Sequence, residues 1–245
     1  MSATQILAAI VALLPATTIQ SADDQAVAWR AIKRAMEALG HPSDTHRYKG
    51  TVQRYRIKSL RQDLEVSCTG QVWSQPPDKI RIETFLWFTM VIDGDKGWIH
   101  AHRDDKTIAM SAEDLAAMKE SRYANEVSSL AALLRPPFRL TSLGDRKVND
   151  RPAIGVRVTC LNRPPIELFF DKQSGLLVKS ARRVMVAGQP ERALREAWYE
   201  DYREVNGVKW AMKTTYKEDG KLTSQLTLED VSFVDKFDSD TFSKP

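Results

Sequence analysis

The amino-acid sequence predicts an α+β fold made mainly of antiparallel strands, together with two helical segments. Turn sequences such as Asn206-Gly207 and Asp219-Gly220 recur through the second half of the chain at the short spacing of an antiparallel meander. Two other segments repeat apolar residues at helical spacing. The chain has 245 residues, of which 42% are hydrophobic, and it shows no Gly/Ser linker or internal repeat. We therefore expect residues 23–245 to form a single domain.

The chain opens with an uncharged apolar run, "ILAAIVALL" at residues 6–14, which is followed by Pro15 and small polar residues. This run is too short to span a bilayer but has the length of the hydrophobic region of a secretory signal. We expect a signal peptide over residues 1–22, cleavage between Ala16 and Asp24, and a periplasmic or otherwise exported protein. Because no Lys or Arg precedes the run, a misassigned start codon and a buried N-terminal helix are the alternatives.

The two helical segments are predicted over residues 23–39 and 112–134. The first has acidic residues that can cap its start, and its apolar residues recur at helical spacing. The second begins after Ser111, which forms a capping-box pattern with Asp114. Amphipathic helices of this kind usually pack against a sheet.

The pattern of apolar residues in the strands between these helices changes along residues 80–98. Ile80 and Ile82 alternate with charged residues, whereas around Phe85, Trp87 and Phe88 both faces become apolar. A strand that is apolar on both faces is either buried on both faces or contacts a ligand with one of them.

A hairpin is predicted over residues 206–231, with Trp210 and Met212 on one face and Lys209 and Lys213 on the other. Its apolar face either packs in the core or lines a cavity for an apolar ligand. Together with the apolar residues of the earlier strands, it supplies the candidate ligand-binding set. The set is Trp73, Ile80, Ile82, Phe85, Trp87, Phe88, Met90, Ile92, Trp98, Trp210 and Met212.

Patterns that indicate catalysis are sparse. His100 and His102 would lie on the same strand face, but no third ligand is marked nearby, so hydrogen-bonded or solvated histidines are expected rather than a metal site. The sequence has no Gly-rich phosphate loop, nucleophile elbow or His-Glu-x-x-His pattern. It therefore predicts no enzyme, no catalytic residue and no cofactor.

The charged residues also bear on the choice of partner. There are 36 basic and 32 acidic residues, a net charge of +4, and the basic ones are spread over the strands, so no nucleic-acid partner is expected. Arg182 and Arg183 form a local basic cluster, which is either a solvated strand face or a contact for acidic lipid headgroups or a partner. Cys68 and Cys160 are interpreted as buried thiols, although export would permit a disulfide between them.

Three segments resemble the periplasmic lipoprotein carrier and receptor superfamily (LolA/LolB-like). They are "GQVWSQPPDKIR", "VIDGDKGWIH" and "FDSDTFSKP". The family carries a Gly-x-hydrophobic-Trp stretch, a proline before the next strand, an Asp-Gly hairpin leading to Trp, and a terminal Phe-x-x-Pro. The matching residues are Gly70, Trp73, Pro77, Asp93, Gly94, Trp98, Phe242 and Pro245.

This resemblance implies an open antiparallel half-barrel of about eleven strands, whose concave apolar face is covered by the predicted helices. It also implies a cavity that holds the acyl chains of lipoproteins. The family carriers place a basic residue directly before the motif proline, where it ties the sheet to the helical lid, whereas here that position is Pro76. The resemblance therefore implies a lid that is attached in a different way.

The function expected from the sequence is an exported, non-enzymatic protein that binds a lipid acyl chain or a lipoprotein and acts in transport. It is not expected to span a membrane. The alternative is a structural or envelope-sensing module that binds a protein partner and whose cavity is filled by its own side chains.

Overall fold

The computed structural model describes residues 22–40, 48–61, 64–134, 137–185 and 191–245. The predicted signal peptide, apart from its last residue, lies outside these ranges. Two α-helices are present in the described part, α1 (Ala22–Leu39) and α2 (Ala112–Ser128), and a 3-10 turn follows at Ala131–Leu134. Neither helix is long and apolar enough to cross a membrane.

The strands form one antiparallel sheet with 13 members in the described residues. They are β1 (Gly50–Arg61), β2 (Leu64–Gln75), β3 (Lys79–Thr84), β4 (Phe88–Asp93), β5 (Lys96–Ala101), β6 (Lys106–Ala109), β7 (Arg139–Val148), β8 (Arg151–Cys160), β9 (Arg163–Asp171), β10 (Leu177–Val184), β11 (Ala193–Val205), β12 (Val208–Glu218) and β13 (Lys221–Val234).

The order of the strands follows from two meanders joined at their ends. Strands β1 to β6 run outward to one edge of the sheet, β7 to β13 run back from the other edge, and β1 pairs with β13 in the middle. The sheet remains open, with β6 and β7 at its edges. The expected α+β fold with an open antiparallel half-barrel is confirmed, although about eleven strands were too few. Short strands such as β6 span too few residues to show a period of two.

The core lies between helix α1 and the sheet. Ile32 and Ala35 of α1 are fully buried and pack with Val156 and Leu168 of β8 and β9. Gly40 directly follows the helix; its φ angle is +84°, and a Cβ atom there would lie 2.0 Å from the carbonyl oxygen of Gly207. Only glycine allows this close approach between the end of α1 and the β11–β12 turn.

Helix α2 begins as the capping-box pattern predicts. The hydroxyl of Ser111 accepts the backbone N–H of Asp114 at 3.0 Å and donates to the Asp114 carboxylate at 2.6 Å. The helix ends at Ser128, earlier than the predicted residue 134, and the chain continues through the 3-10 turn. Of the α2 residues only Tyr123 and Val127 are buried, so most of this helix lies over the sheet without a deep apolar contact.

The predicted hairpin over residues 206–231 is confirmed. Asn206-Gly207 and Asp219-Gly220 are the turns between β11, β12 and β13, and all four have positive φ angles. Met212 is buried and Trp210 partly buried in one apolar cluster, whereas Lys209 is exposed.

The predicted strand through residues 85–87 is wrong. Thr84 pairs with Phe88, so Phe85, Leu86 and Trp87 form the turn between β3 and β4. Their side chains are 60%, 87% and 50% exposed, respectively. The apolar character of this segment therefore does not reflect a strand that is buried on both faces.

Candidate functional site

The sheet has two faces, and the pairing register assigns each predicted ligand-binding residue to one of them. We call the face that packs against α1 and α2 the helix face and the opposite one the outer face. Along the helix face, the register connects Leu168 of β9 through Ser180, Ala197 and Tyr216 to Ser224 of β13. Residues that alternate with these along the strands lie on the outer face.

Most of the predicted ligand-binding residues lie on the helix face. Ile82, Trp210 and Met212 belong to one apolar cluster centred on Tyr55 and Leu228. The others follow from their pairing with these strands, and they are Ile80, Phe88, Met90 and Ile92. Ile92 is fully buried, whereas the remaining three are partly buried.

Trp73 and Trp98 lie on the outer face, opposite to the other strand residues of the predicted ligand-binding set. Trp73 pairs with Arg81, whose guanidinium carbon lies 5.9 Å from the centroid of the indole ring, and Trp98 pairs with the fully buried Val91. The C-terminal segment covers this region, since Arg81 donates to the carbonyl oxygen of Thr241 at 3.3 Å. Both tryptophans are partly buried on this face.

Phe85 and Trp87 are likewise not part of a cavity wall. They lie at the exposed β3–β4 turn, and the backbone N–H of His102 donates to the carbonyl oxygen of Trp87 at 3.0 Å. This hydrogen bond fixes the position of the turn while the aromatic side chains remain in solvent.

A cavity of about 740 Å³ lies between α2 and the helix face of the sheet. Helix α2 contributes Ser121, Ala124, Asn125 and Ser128, and the sheet contributes residues of β10 to β13 and of β1. The volume is within the usual range of about 300–1,000 Å³ for small-molecule sites. None of the residues in the predicted ligand-binding set lines this cavity.

The end of the cavity at β10 and β11 is polar. Arg182 donates from Nη1 to the Glu120 carboxylate at 3.0 Å, and Arg195 donates from Nε to the Glu218 carboxylate at 2.8 Å. The hydroxyl of Tyr199 lies 2.9 Å from Ser180 Oγ. Hydroxyl, guanidinium and carboxylate groups thus face one partly open space.

Burial changes the protonation behaviour of this end of the cavity. Burial, and to a smaller degree the hydroxyl of Tyr199, raise the pKa of Tyr216, whereas Arg195 and Arg182 act in the opposite direction. Burial also lowers the pKa of Arg182, and the positive charge of Arg195 lowers it further. The tyrosine therefore remains a neutral hydroxyl and the guanidinium remains charged at physiological pH.

The other end of the cavity meets an apolar row on the helix face. Ser59 and Ser224 line the cavity, and one step further along their strands lie Ile57 and Leu226, with Cys68 opposite Ile57. These three apolar residues are only partly buried. On this side the cavity therefore adjoins a row of apolar side chains, two of which, Ile57 and Leu226, pack against the cluster around Tyr55 and Leu228.

Polar contacts attach α2 over this cavity. Arg122 of the helix donates to the backbone carbonyl of Pro77 in the β2–β3 turn, Lys119 pairs with Asp95 in the β4–β5 turn, and Glu120 pairs with Arg182. This geometry agrees with the expectation that the helical lid is attached differently from that of the family carriers, which have a basic residue directly before the motif proline. Here the helix supplies the arginine and the proline-containing turn supplies the acceptor.

The remaining candidate groups have structural partners. His100 and His102 accept or donate hydrogen bonds with Thr107 and Thr89 at 3.0 and 2.9 Å. Cys68 and Cys160 are free thiols, on β2 and β8, which are far apart in the order of the strands. Within the described ranges, no three His, Cys, Asp or Glu residues are grouped to hold a metal ion.

Comparison with solved structures identifies the fold. A LolA superfamily protein from Nitrosomonas europaea matches with a TM-score of 0.57 and 13% identity, over 89% of this chain and 97% of that one. The chain has a LolA-like fold. A putative outer membrane lipoprotein-sorting protein domain from Vibrio parahaemolyticus matches this LolA-like chain with a TM-score of 0.56 and 10% identity, over 87% and 97% of the two chains.

A third solved structure, from a family of unknown function in Desulfovibrio piger, matches with a TM-score of 0.60 and 7% identity over 88% of this chain and 97% of that one. By sequence, neither a known family profile nor a curated protein matches the chain. The LolA-like resemblance is thus confirmed at the level of the fold.

Sequence reasoning missed the serine, tyrosine and arginine residues that line the cavity. Only Arg182 had been noted, as part of a basic cluster for which a solvated strand face was one interpretation. The structure shows that its side chain is 11% exposed, whereas the neighbouring Arg183 is exposed on the outer face. The signal that could have indicated the site is Arg182 itself, a charged residue at a strand position whose side chain points toward the helix face.

Proposed function

We propose that this protein is a non-enzymatic binding protein that holds a lipid acyl chain, free or as part of a lipoprotein, in the cavity beneath α2. The observation that carries the proposal is the cavity of about 740 Å³ beneath α2, beside which the partly buried apolar side chains of Ile57, Leu226 and Cys68 lie on the same face of the sheet. A chain in the cavity and against these side chains would remove apolar surface of both molecules from water, at about 0.8 kcal/mol for each buried methylene.

The attachment of α2 supports a binding role. A helix with only two buried residues, Tyr123 and Val127, and with several polar attachments can move away from the sheet at a low free-energy cost. A ligand can enter when these few contacts break. The alternative, a module whose cavity is filled by its own side chains, does not account for the open volume between α2 and the sheet.

The shared fold supports the same class of function. The compared structures include a LolA superfamily protein and a putative lipoprotein-sorting domain. We further propose that residues 1–22 direct export and that residues 23–245 form one domain in the periplasm or outside the cell. The molecular mass of the protein recovered from cells tests export, because a chain that retains Met1 contradicts it.

A titration with fatty acids of increasing chain length tests lipid binding. We expect the affinity to rise about fourfold for each added methylene until the cavity is full, which corresponds to about 0.8 kcal/mol per methylene. The variant Ser224→Phe places a ring in the empty volume and should weaken the binding of long chains at least tenfold. Its matched control is Ser232→Phe, on the same strand but exposed on the outer face.

Two results would contradict the proposal. One is that no chain of any length binds. The other is that chains bind equally well to the wild type, Ser224→Phe and Ser232→Phe, since binding would then occur away from the cavity. Melting temperatures of the variants separate blockage of the cavity from general destabilisation.

A further inference from the structure

The polar end of the cavity contains two arginines directly opposite each other on neighbouring strands. Arg182 of β10 pairs in register with Arg195 of β11, and both line the cavity. Like charges in directly opposite positions destabilise a sheet, because their repulsion is not offset by the pairing itself. The side chains are 11% and 33% exposed, so solvent screens them only in part.

Nearby carboxylates offset this positive charge incompletely. Glu120 contacts Arg182 at 3.0 Å and Arg192 at 3.6 Å, and Glu218 pairs with Arg195. The residues that line the cavity thus include two guanidinium groups and one carboxylate, that of Glu218, while the Glu120 carboxylate is shared between Arg182 and the more exposed Arg192. The bonds of Arg182 to Glu120 and Ser121 involve Nη1 and Nη2, so they engage two of the five N–H donors of its guanidinium.

Hydroxyl groups surround the same space. Tyr199, Tyr216 and Ser180 line the cavity together with the two arginines. A partly open cavity that combines two guanidinium groups with hydroxyl donors is suited to a negatively charged group, since charge-assisted hydrogen bonds are the strongest that such side chains form.

We propose that the ligand of this protein carries an anionic head group, a carboxylate or a phosphate, which binds between Arg182 and Arg195, while its alkyl chain extends past Tyr216 toward Ile57 and Leu226. This inference rests on the proposed function and specifies the class of ligand. The register places the two ends of the path on different strands, because Arg195 lies on β11 and Ile57 on β1. Three strand spacings separate them, a distance of about 14 Å.

The inference is tested with ligands that share one alkyl chain and differ in the head group. Dodecanoate, dodecyl phosphate and dodecanol are titrated calorimetrically below their critical micelle concentrations. We expect at least one of the two anions to bind at least tenfold more tightly than the alcohol. Preference between the anions identifies the head group as a carboxylate or a phosphate.

Variants of the arginines locate the head group. Arg182→Gln and Arg195→Gln should each reduce the preference for the anion at least fivefold, while the affinity for dodecanol changes less than twofold. The matched control is Arg183→Gln, which removes the same charge from the adjacent position on the outer face and should retain the preference. The alcohol serves as the internal control for folding, because a variant that has lost the cavity loses both affinities.

Different results would overturn different claims. If anions and alcohol bind equally well to the wild type, or if the preference persists in both cavity variants, the anion site is refuted while lipid binding stands. If either Arg182→Gln or Arg195→Gln loses dodecanol binding as well, its cavity is disrupted, and the preference for the anion measured in the other variant decides whether the head group binds between these arginines. If neither anion nor alcohol binds, the proposed function fails, and the anion site fails with it.

Discussion

The contact between Arg122 and the carbonyl of Pro77 holds α2 over the cavity, and Arg122→Gln should loosen this helix selectively. A hydrogen bond from a charged donor contributes about 1.5–3 kcal/mol, and the lower value applies here because the contact lies near the surface. Loss of about 1.5 kcal/mol raises the population of the open helix roughly tenfold. Burial already lowers the pKa of Arg122, with the charges of Asp78 and Glu126 opposing that effect.

Amide hydrogen exchange measures this opening residue by residue. We expect exchange in α2 to accelerate about tenfold in Arg122→Gln, whereas exchange in α1 should change less than twofold because its buried face is anchored by Ile32 and Ala35. The control is Arg146→Gln, an exposed arginine whose side chain donates to the neighbouring carbonyl of Asp145. Equal acceleration in both helices, or none in α2, would show that Arg122 does not hold the lid.

Further predictions concern the sheet. Met212→Lys should lower the free energy of unfolding by about 3 kcal/mol or more, since it places a charge in a buried cluster, while Lys213→Gln should change it by less than about 1 kcal/mol. Urea denaturation measures both values, and similar losses for the two variants would mean that the strand register is wrong. Trp87→Ala should lower the free energy of unfolding by less than about 1 kcal/mol because the ring is half exposed, whereas Ile92→Ala should lower it by about 2–5 kcal/mol. A lower melting temperature for Trp87→Ala than for Ile92→Ala would refute the assignment of residues 85–87 to a turn. Burial alone would raise the pKa of Asp171, but hydrogen bonds from Ser174 and the charge of a nearby arginine lower it below 3.8. The stabilising effect of the Asp171 carboxylate is therefore complete above about pH 4 and is lost as the pH falls through the folded-state pKa. Asp171→Asn should lower the free energy of unfolding by about 2 kcal/mol at neutral pH and by less in acid. A difference between the two proteins that does not depend on pH would contradict this.

The period of two predicts which residues share a face, but not which face is covered by helices. Val72 and Trp73 are adjacent and both apolar, so either one could point inward. The pairing of Val72 with Ile82 and of Trp73 with Arg81 resolves the choice, and this pairing depends on contacts that the sequence does not display. The hairpin at residues 206–231 was predictable because its faces differ clearly, with lysines on one and large apolar residues on the other.

The turn at residues 85–87 was not predicted because it lacks the residues that usually form turns. Leu86 has a φ angle of +70°, in a region that usually favours glycine or asparagine, and no residue of the segment signals a reversal. An apolar sequence without turn residues is read as a buried strand. The exposed position of these side chains follows only from the pairing of Thr84 with Phe88.

The cavity could not be predicted because its residues come from distant strands and carry no periodic signal. Ser59 and Ser224 meet because β1 pairs with β13, the contact that joins the two meanders. Serine and tyrosine residues at inward positions resemble ordinary strand residues when each is considered alone. Only the topology brings them together beneath α2.

The most direct test of the central claim is the amount of lipid that the protein carries when it is purified without detergent from the cells that express it naturally. The protein is unfolded, extracted with organic solvent and analysed by mass spectrometry for alkyl chains per protein molecule. The account predicts close to one chain-bearing molecule per wild-type protein, the same for Ser232→Phe, and a large reduction for Ser224→Phe. No chain on the wild type, or equal amounts on the wild type and Ser224→Phe, would contradict a lipid-binding cavity beneath α2.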